Sequence, residues 1–295
     1  MASTNPLEEF AAIARTHEPL GPATALKIGG PADVLLEPRS EAELAAVVQR
    51  CLAAQVPFRV LGAGGGLLVR DEGVRGAVLR LSAPAFSAID VDGKRLRAGC
   101  GSTLAAAIAA AARHNLVGFE SLVGMPGTVG GGLRLNAGDR SAEIGQFVRQ
   151  VEVLDGHGLR QVRERDELHF EPGSSSLDDP VLLSAEFELE ADVAAAVVKR
   201  LRKAWIQHKA SQPFSYQASA RLFRNPPGLS AIGLIEQAGL VGTRVGGAQV
   251  NDRNANYVVA DPGTTAADVL RLIELIRDRV QEQFRIELEL ALSIW

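Results

Sequence analysis

Gly124 to Gly132 reads GMPGTVGGG, five glycines and one proline in nine residues, and runs straight into Leu133 to Gly138, LRLNAG. Glycine has no Cβ and tolerates positive φ, so such a run brings the main chain close to another body. Its amides can form a nest for an anionic or polar ligand. Two further glycine-bearing segments precede it: KIGGPAD from Lys27 to Asp33, and LGAGGGLLVRDEG from Leu61 to Gly73.

At 295 residues the chain is long for one core and predicts two or three domains. With 46% hydrophobic and 22% charged residues it reads as an ordinary soluble globular protein. A net charge of -4 argues against a nucleic-acid binder but leaves room for local basic sites. Cys51 and Cys100 are far apart and lack metal-ligand spacing, so no metal site and no disulfide are expected. The N-terminal MASTNPLEEF is acidic with no apolar core, and no apolar run reaches the ~20 residues of a membrane span. A cytoplasmic protein without a membrane span is expected.

Residues 1–22 read as a lead-in helix ending near Pro19 to Pro22. Val34 to Glu37, Phe58 to Leu61 and Ala77 to Leu81 read as strands. Ser40 with Glu43 forms a capping-box pattern ahead of the stripe Leu44, Val47, Val48, Leu52. Leu96 to Gly99 is a strand, and Thr103 caps the helix Leu104 to His114, which stops at Asn115. Phe147 to Leu154, Gly158 to Arg163 and Val181 to Leu189 alternate as strands do, with Asp155-Gly156 as a turn. After Glu190 come an amphipathic helix over Val193 to His208 and an irregular stretch, Gln212 to Pro227. A helix over Leu229 to Gln237 and strands at Gly246 to Val250 and Asn256 to Val259 follow. Thr265 with Asp268 opens a last helix through Phe284, and Ile286 to Ile294 reads as a final strand. His114, His169 and His208 are read as surface or cap residues, and Trp205 and Trp295 as core or contact anchors.

The GAGGG turn, Gly62 to Gly66, is a weak dinucleotide signal, because its spacing is not G-x-G-x-x-G and no helix pattern follows. Taken together, however, the glycine segments resemble the flavin-binding half of the MurB family, the UDP-N-acetylenolpyruvoylglucosamine reductases. The resemblance covers most of the first 190 residues. Pro126, Gly127, Thr128, Val129, Gly130, Gly131, Asn136, Ala137 and Gly138 stand where the family has them. It implies FAD held by Gly62, Ala63, Gly64, Gly65, Gly66, Leu67, Gly124, Pro126, Gly127, Thr128, Gly130, Gly131, Asn136, Ala137, Gly138 and Ile144. Gly65 and Gly66 replace a Ser-Asn pair usual in the family. Each lost hydrogen bond to a charged group is worth roughly 1.5–3 kcal/mol, so FAD binding is expected to be weakened. Neither turn holds a histidine for covalent attachment.

The resemblance also implies NADPH as hydride source and a UDP-sugar substrate in peptidoglycan precursor synthesis. It further implies an arginine, a proton-donating serine and a glutamate at the reaction centre. None of the three is where the family has it. Aligned by Phe170 and Ser175, the arginine position is Gly173; aligned by Phe223 to Pro226, the serine position is Arg221; in Leu288 to Ala291 the glutamate position is Ala291. Arginine does not donate a proton at neutral pH, since its pKa exceeds ~12. Glu289 is read as facing away from Ala291. Ser219 acting for Arg221, or Arg221 supplying the missing guanidinium, stay open. Asn254 and Tyr257 stand where the family commonly has His and Phe. Lys209, Gln212, Arg224, Asn225 and Arg253 are the substrate-binding candidates.

The expected fold is therefore α+β and MurB-like, of the family's shorter type. Residues 1–82 and 83–192 form two FAD-binding subdomains, with 285–295 returning to the second, and 193–284 form a substrate-binding α+β domain. The expected function is a flavin-binding homologue with reductase catalysis lost or altered. Two alternatives stand beside it: an active reductase with a relocated proton donor, and a non-catalytic UDP-sugar-binding or regulatory protein without flavin, for which a protein partner is implied.

Overall fold

The computed structural model describes residues 6–139, 141–213 and 217–295. The chain forms two compact units. The first comprises Met1–His17, Asp33–Ala63 and Arg75–Lys209; the second comprises Glu18–Ala32, Gly64–Val74 and Ala210–Trp295.

The first unit contains two cores. One lies between helix α1 (Glu41–Ala53) and a four-stranded sheet ordered Ala14–Pro19, Pro31–Leu36, Val74–Arg80, Phe58–Leu61. Leu44, Val47, Val48 and Cys51 of α1 are fully buried, as an i, i+3, i+4, i+7 stripe requires. Ser40 Oγ accepts from Glu43 N, but the Glu43 carboxylate takes the Arg39 amide, so only half of the expected capping box forms. The other core lies beneath an antiparallel sheet ordered Arg160–Glu164, Val148–Leu154, Val181–Glu188, Arg95–Gly99, Ile89–Asp92. Helix α2 (Leu104–Arg113), capped by Thr103 Oγ1, packs into this core. Asn115, at φ 56°, ends it. The glycine run is not all loop: Val129 to Arg134 coil into a short helix, α3, with Thr128 as its N-cap.

The expected lead-in helix is a 3-10 segment over Glu8–Ile13 followed by the strand Ala14–Pro19; residues 1–5 lie outside the described set. That strand pairs at the edge of a sheet, a long-range gain that overrides its weak local pattern. Helix α4 (Ala194–Ser211) takes the expected amphipathic stretch.

The second unit has one core, formed where helices α5 (Ala231–Gln237) and α6 (Ala266–Phe284) pack on a sheet. Its order is Ala218–Arg221, Tyr257–Ala260, Ala248–Val250, Arg244–Val245, all antiparallel. A strand at Ala218–Arg221 corrects the irregular reading of that stretch. The capping box on α6 forms in full between Thr265 and Asp268. Of the expected last strand, only Ser293–Ile294 pair as a strand, parallel to Leu67–Leu68, with a single bridge at Leu290. Leu288 and Leu292 are buried in the second unit's core, so residues 285–295 cluster there and not with 83–192.

Candidate functional site

Within the first unit, α3 sets the main chain of the glycine run against α2 and its approach loop. Val129 and Gly130 donate their amides to the carbonyls of Ser102 and Cys100, and Gly131 donates to Thr128 Oγ1 at 3.2 Å. These three amides are committed inside the protein. A Cβ on Gly130 would meet Cys100 Cβ at 3.0 Å, and one on Gly132 would meet Leu104 Cδ2 at 3.1 Å. A Cβ on Gly138 would meet the Ala142 carbonyl at 2.3 Å. Those glycines are small because the interior is full.

Gly131 and Gly62 are different. Gly131 is exposed, and a Cβ there would meet only Thr128 Oγ1, at 3.4 Å. On Gly62 it would meet the same Thr128 hydroxyl at 2.7 Å. Thr128 thus stands between two glycines that leave its hydroxyl approachable. Asn136 holds the far end: its Nδ2 donates to Glu143 at 2.6 Å and to the Glu171 carbonyl, and its Oδ1 accepts from Gly145 N at 3.0 Å. Asn136 is therefore a buried strut. Ile144 is buried in the core, Ala137 donates to the Gly132 carbonyl, and Pro126 is exposed.

At the start of the run, a Cβ on Gly124 would lie 3.4 Å from His208 Cβ, and Asp139 Oδ2 lies 3.8 Å from His208 Nε2. Burial opposes ionisation of Asp139, but hydrogen bonds from Ser141 and Ala142 and the charge of His208 outweigh it and hold its carboxyl below the usual range. The sequence reading did not pair these residues, because 69 positions separate them. Arg134 was also missed. It donates to the Leu177 carbonyl at 2.6 Å and to that of Asp179, and its own carbonyl accepts from Ser175 Oγ. It is half-buried, and burial lowers its pKa against the pull of Asp179.

Gly173 lies in a two-residue turn, Pro172-Gly173, between the paired strands Phe170–Glu171 and Ser174–Ser175. Its φ is 81°, the conformation a tight turn reserves for glycine at its third position.

In the second unit, Gly64 has φ 64° and sits against the Ala23 carbonyl, where a Cβ would come within 2.2 Å; its own carbonyl accepts from Ala25 N. Gly66 accepts from Ser293 N. The amides of Gly65 and Gly66 donate to no acceptor among the described residues. Leu67 is buried and pairs with Ser293.

The strand Ala218–Arg221 buries Ala220 in the core, with Ser219 and Arg221 on its other side. Arg221 Nε donates to the Phe223 carbonyl at 3.2 Å. Ala291 N donates to the Leu222 carbonyl at 2.8 Å, and Arg224 N donates to the Glu289 carbonyl at 2.9 Å. Arg221 and Ala291 therefore stand on adjoining extended segments. Glu289 does not face away as expected: residues two apart on an extended chain share a side. Its carboxylate reaches Arg224 Nη1 at 3.7 Å.

Tyr257 pairs with Arg221 across the sheet, and burial raises its phenol against the lowering effect of that guanidinium. Asn256, missed in the sequence, accepts from Phe223 N at 2.9 Å and donates to its carbonyl at 2.8 Å, so one side chain substitutes for a sheet neighbour. Asn225 Oδ1 is committed to the Ala231 amide at 3.0 Å. Arg253 donates its amide to Asn251 Oδ1, and Gln212 is half-buried. Lys209, in the first unit, lies with Nζ 5.9 Å from the Trp205 ring centre. Among the described residues no group of acidic, histidine and cysteine side chains has the makings of a metal site, and no helix is long and apolar enough to cross a membrane.

Residues 32–162 match a family described as an FAD binding domain, and residues 212–295 match the C-terminal domain of UDP-N-acetylenolpyruvoylglucosamine reductase. UDP-N-acetylenolpyruvoylglucosamine reductase 2 of Symbiobacterium thermophilum is 39% identical over 95% of this chain and 92% of its own. The corresponding reductase of Moorella thermoacetica is 36% identical, again over 95% and 92%. The crystal structure of the Thermus caldophilus reductase superposes with a TM-score of 0.82 at 34% identity, covering 96% of this chain and 98% of that one.

Proposed function

Because the chain belongs to the UDP-N-acetylenolpyruvoylglucosamine reductase family, we propose that it is a cytoplasmic FAD-binding protein of UDP-N-acetylmuramate synthesis whose reductase catalysis is lost or altered. Bound flavin would supply hydride transfer, with NADPH as its source in the family. The protein's share is to hold and orient. The Thr128 hydroxyl, left open by Gly62 and Gly131, suits a polar, anionic cofactor such as FAD. So, within their own unit, do the amides of Gly65 and Gly66. The Gly130, Gly132 and Gly138 positions serve that fit indirectly, by letting α3 pack without strain.

One observation carries the reading of altered catalysis. The serine and glutamate positions that the resemblance implies, here Arg221 and Ala291, lie on adjoining segments joined by the Ala291-to-Leu222 hydrogen bond, which supports the reading. On this reading a guanidinium and a methyl group stand in place of a neutral proton donor and a carboxylate. A guanidinium stabilises an anion but returns no proton to carbon at neutral pH.

The test has two stages. The visible spectrum of the purified protein, with and without added FAD, reports cofactor binding; absence of a bound-flavin spectrum at saturating FAD would sink the first half of the proposal. Turnover of the enolpyruvyl UDP-sugar with NADPH is then compared between the native chain and the R221S/A291E variant. A gain of about a hundredfold or more is expected from restoring general acid catalysis. Native turnover at a rate the double variant does not exceed would overturn the second half.

Ser219 favours one other reading, an active reductase with a relocated donor, because it lies on the same strand and side as Arg221. Ser219→Ala abolishing native turnover would support it.

A further inference from the structure

Helix α4 carries five Lys or Arg residues and no acidic one in its 18 positions. Arg200 is paired with Asp192 at 2.8 Å. Lys199, Arg202 and Lys203 form no ion pair among the described residues. With Val198 and Ile206 they line one open face of the helix. The apolar members are well exposed, Val198 at 64% and Ile206 at 54%, and Trp205 beside them is at 52%. The expectation that Trp205 anchors a core is therefore wrong: Val197 faces inward instead, with 1% exposure. Lys209 lies over the exposed Trp205 ring.

Exposed apolar side chains on a helix call for a cover. Three covers are conceivable, and charge separates them. A second copy of this face would set Lys199, Arg202 and Lys203 against their own counterparts. A neutral apolar groove would strip the same cations of water without offering partners. An anionic lipid surface accepts both classes of side chain on one face: Trp and aliphatic groups enter the headgroup boundary, while Lys and Arg meet phosphates on long apolar stems. It also demands no matching groove, which suits a convex single helix. With a net charge of -4 the chain as a whole has no general attraction to an anionic surface, so adsorption calls for a local basic face such as this one.

We propose that the α4 face of Val198, Lys199, Arg202, Lys203, Trp205 and Ile206 docks the protein peripherally on an anionic phospholipid surface.

The full-length protein, supplied with FAD, is sedimented with vesicles of phosphatidylcholine alone and of phosphatidylcholine mixed with phosphatidylglycerol. Binding is expected only to the mixed vesicles, and to fall as salt rises from about 0.02 M to about 0.5 M, as charges become screened. K199Q/R202Q/K203Q is expected to weaken partition by about tenfold or more. V198S/I206S, which leaves every charge in place, is expected to weaken it at high and low salt alike. Far-UV circular dichroism and melting temperature confirm that each variant is folded. No binding to the mixed vesicles at low salt overturns the proposal. So does binding that neither variant changes, capture by poly-glutamate without vesicle binding, or a concentration-dependent dimer that V198S/I206S dissolves.

Discussion

The segment Gly124 to Gly138 in the first unit and the paired segments around Phe223 and Leu290 in the second are equally well built, yet they differ in how far their side chains are committed to the fold. In the first, most residues are locked: Gly130 against Cys100, Gly138 against Ala142, Asn136 between Gly145 and Glu171. In the second, Phe223 is fully buried and clasped by Asn256, while Arg221 and Ala291 lie on adjoining extended segments with side chains that the core does not enclose. The difference teaches where substitution is cheap. A side chain that packs or bonds the main chain costs stability when it changes. One that faces solvent or substrate changes at little cost to the fold.

Phe223→Ala breaks the frame of the second segment most severely. An emptied aromatic site in a full core is expected to cost about 3–5 kcal/mol, read as a fall in denaturation midpoint. A shift below about 1 kcal/mol would mean that the frame does not depend on that ring.

Gly130→Val and Gly131→Ala sharpen the contrast inside the first segment. The former forces a side chain onto Cys100 and is expected to cost about 1–3 kcal/mol. The latter leaves stability within about 0.5 kcal/mol and weakens FAD binding instead, by fluorescence titration. Equal effects of the two on stability would erase the distinction between packed and ligand-facing glycine.

Gly173→Arg is expected to destabilise by about 1–3 kcal/mol, because φ is 81° there. This is why the restoration experiment begins with positions 221 and 291 only.

The smallest effect concerns Glu152. Burial raises its pKa, but hydrogen bonds from Ser184 and Arg160 and the charges of Arg97 and Arg160 outweigh it and hold the carboxyl below the usual range. A lowered folded-state pKa stabilises above the unfolded value and is lost as pH falls through the folded one. Melting temperature is expected to decline below about pH 4.5, and the decline to be shallower in Glu152→Gln. Parallel pH curves for the two proteins would show that this group is not linked to folding.

Much of this was legible along the chain because it is local. Ser40, Thr103 and Thr265 cap their helices as their spacing implies, and Leu44, Val47 and Val48 are buried as a helical stripe must be. The first strand was not legible, because it exists through pairing and not through its own pattern. Trp205 was misjudged because its side of α4 depends on which face the rest of the unit covers.

By itself, then, the sequence determined the starts of α1, α2 and α6, the alternating strands Val148–Leu154, Arg160–Glu164 and Val181–Glu188, and the family to which its glycine motifs belong. All of these follow from contacts within a few residues or from motifs read in line. Only the tertiary structure decided which glycines are packed and which are open, that Leu222 and Ala291 pair, that Asn256 clasps Phe223, and that α4 presents its cations with apolar neighbours to solvent. Each depends on residues far apart in the chain being brought within a few ångströms, a proximity that no local spacing encodes.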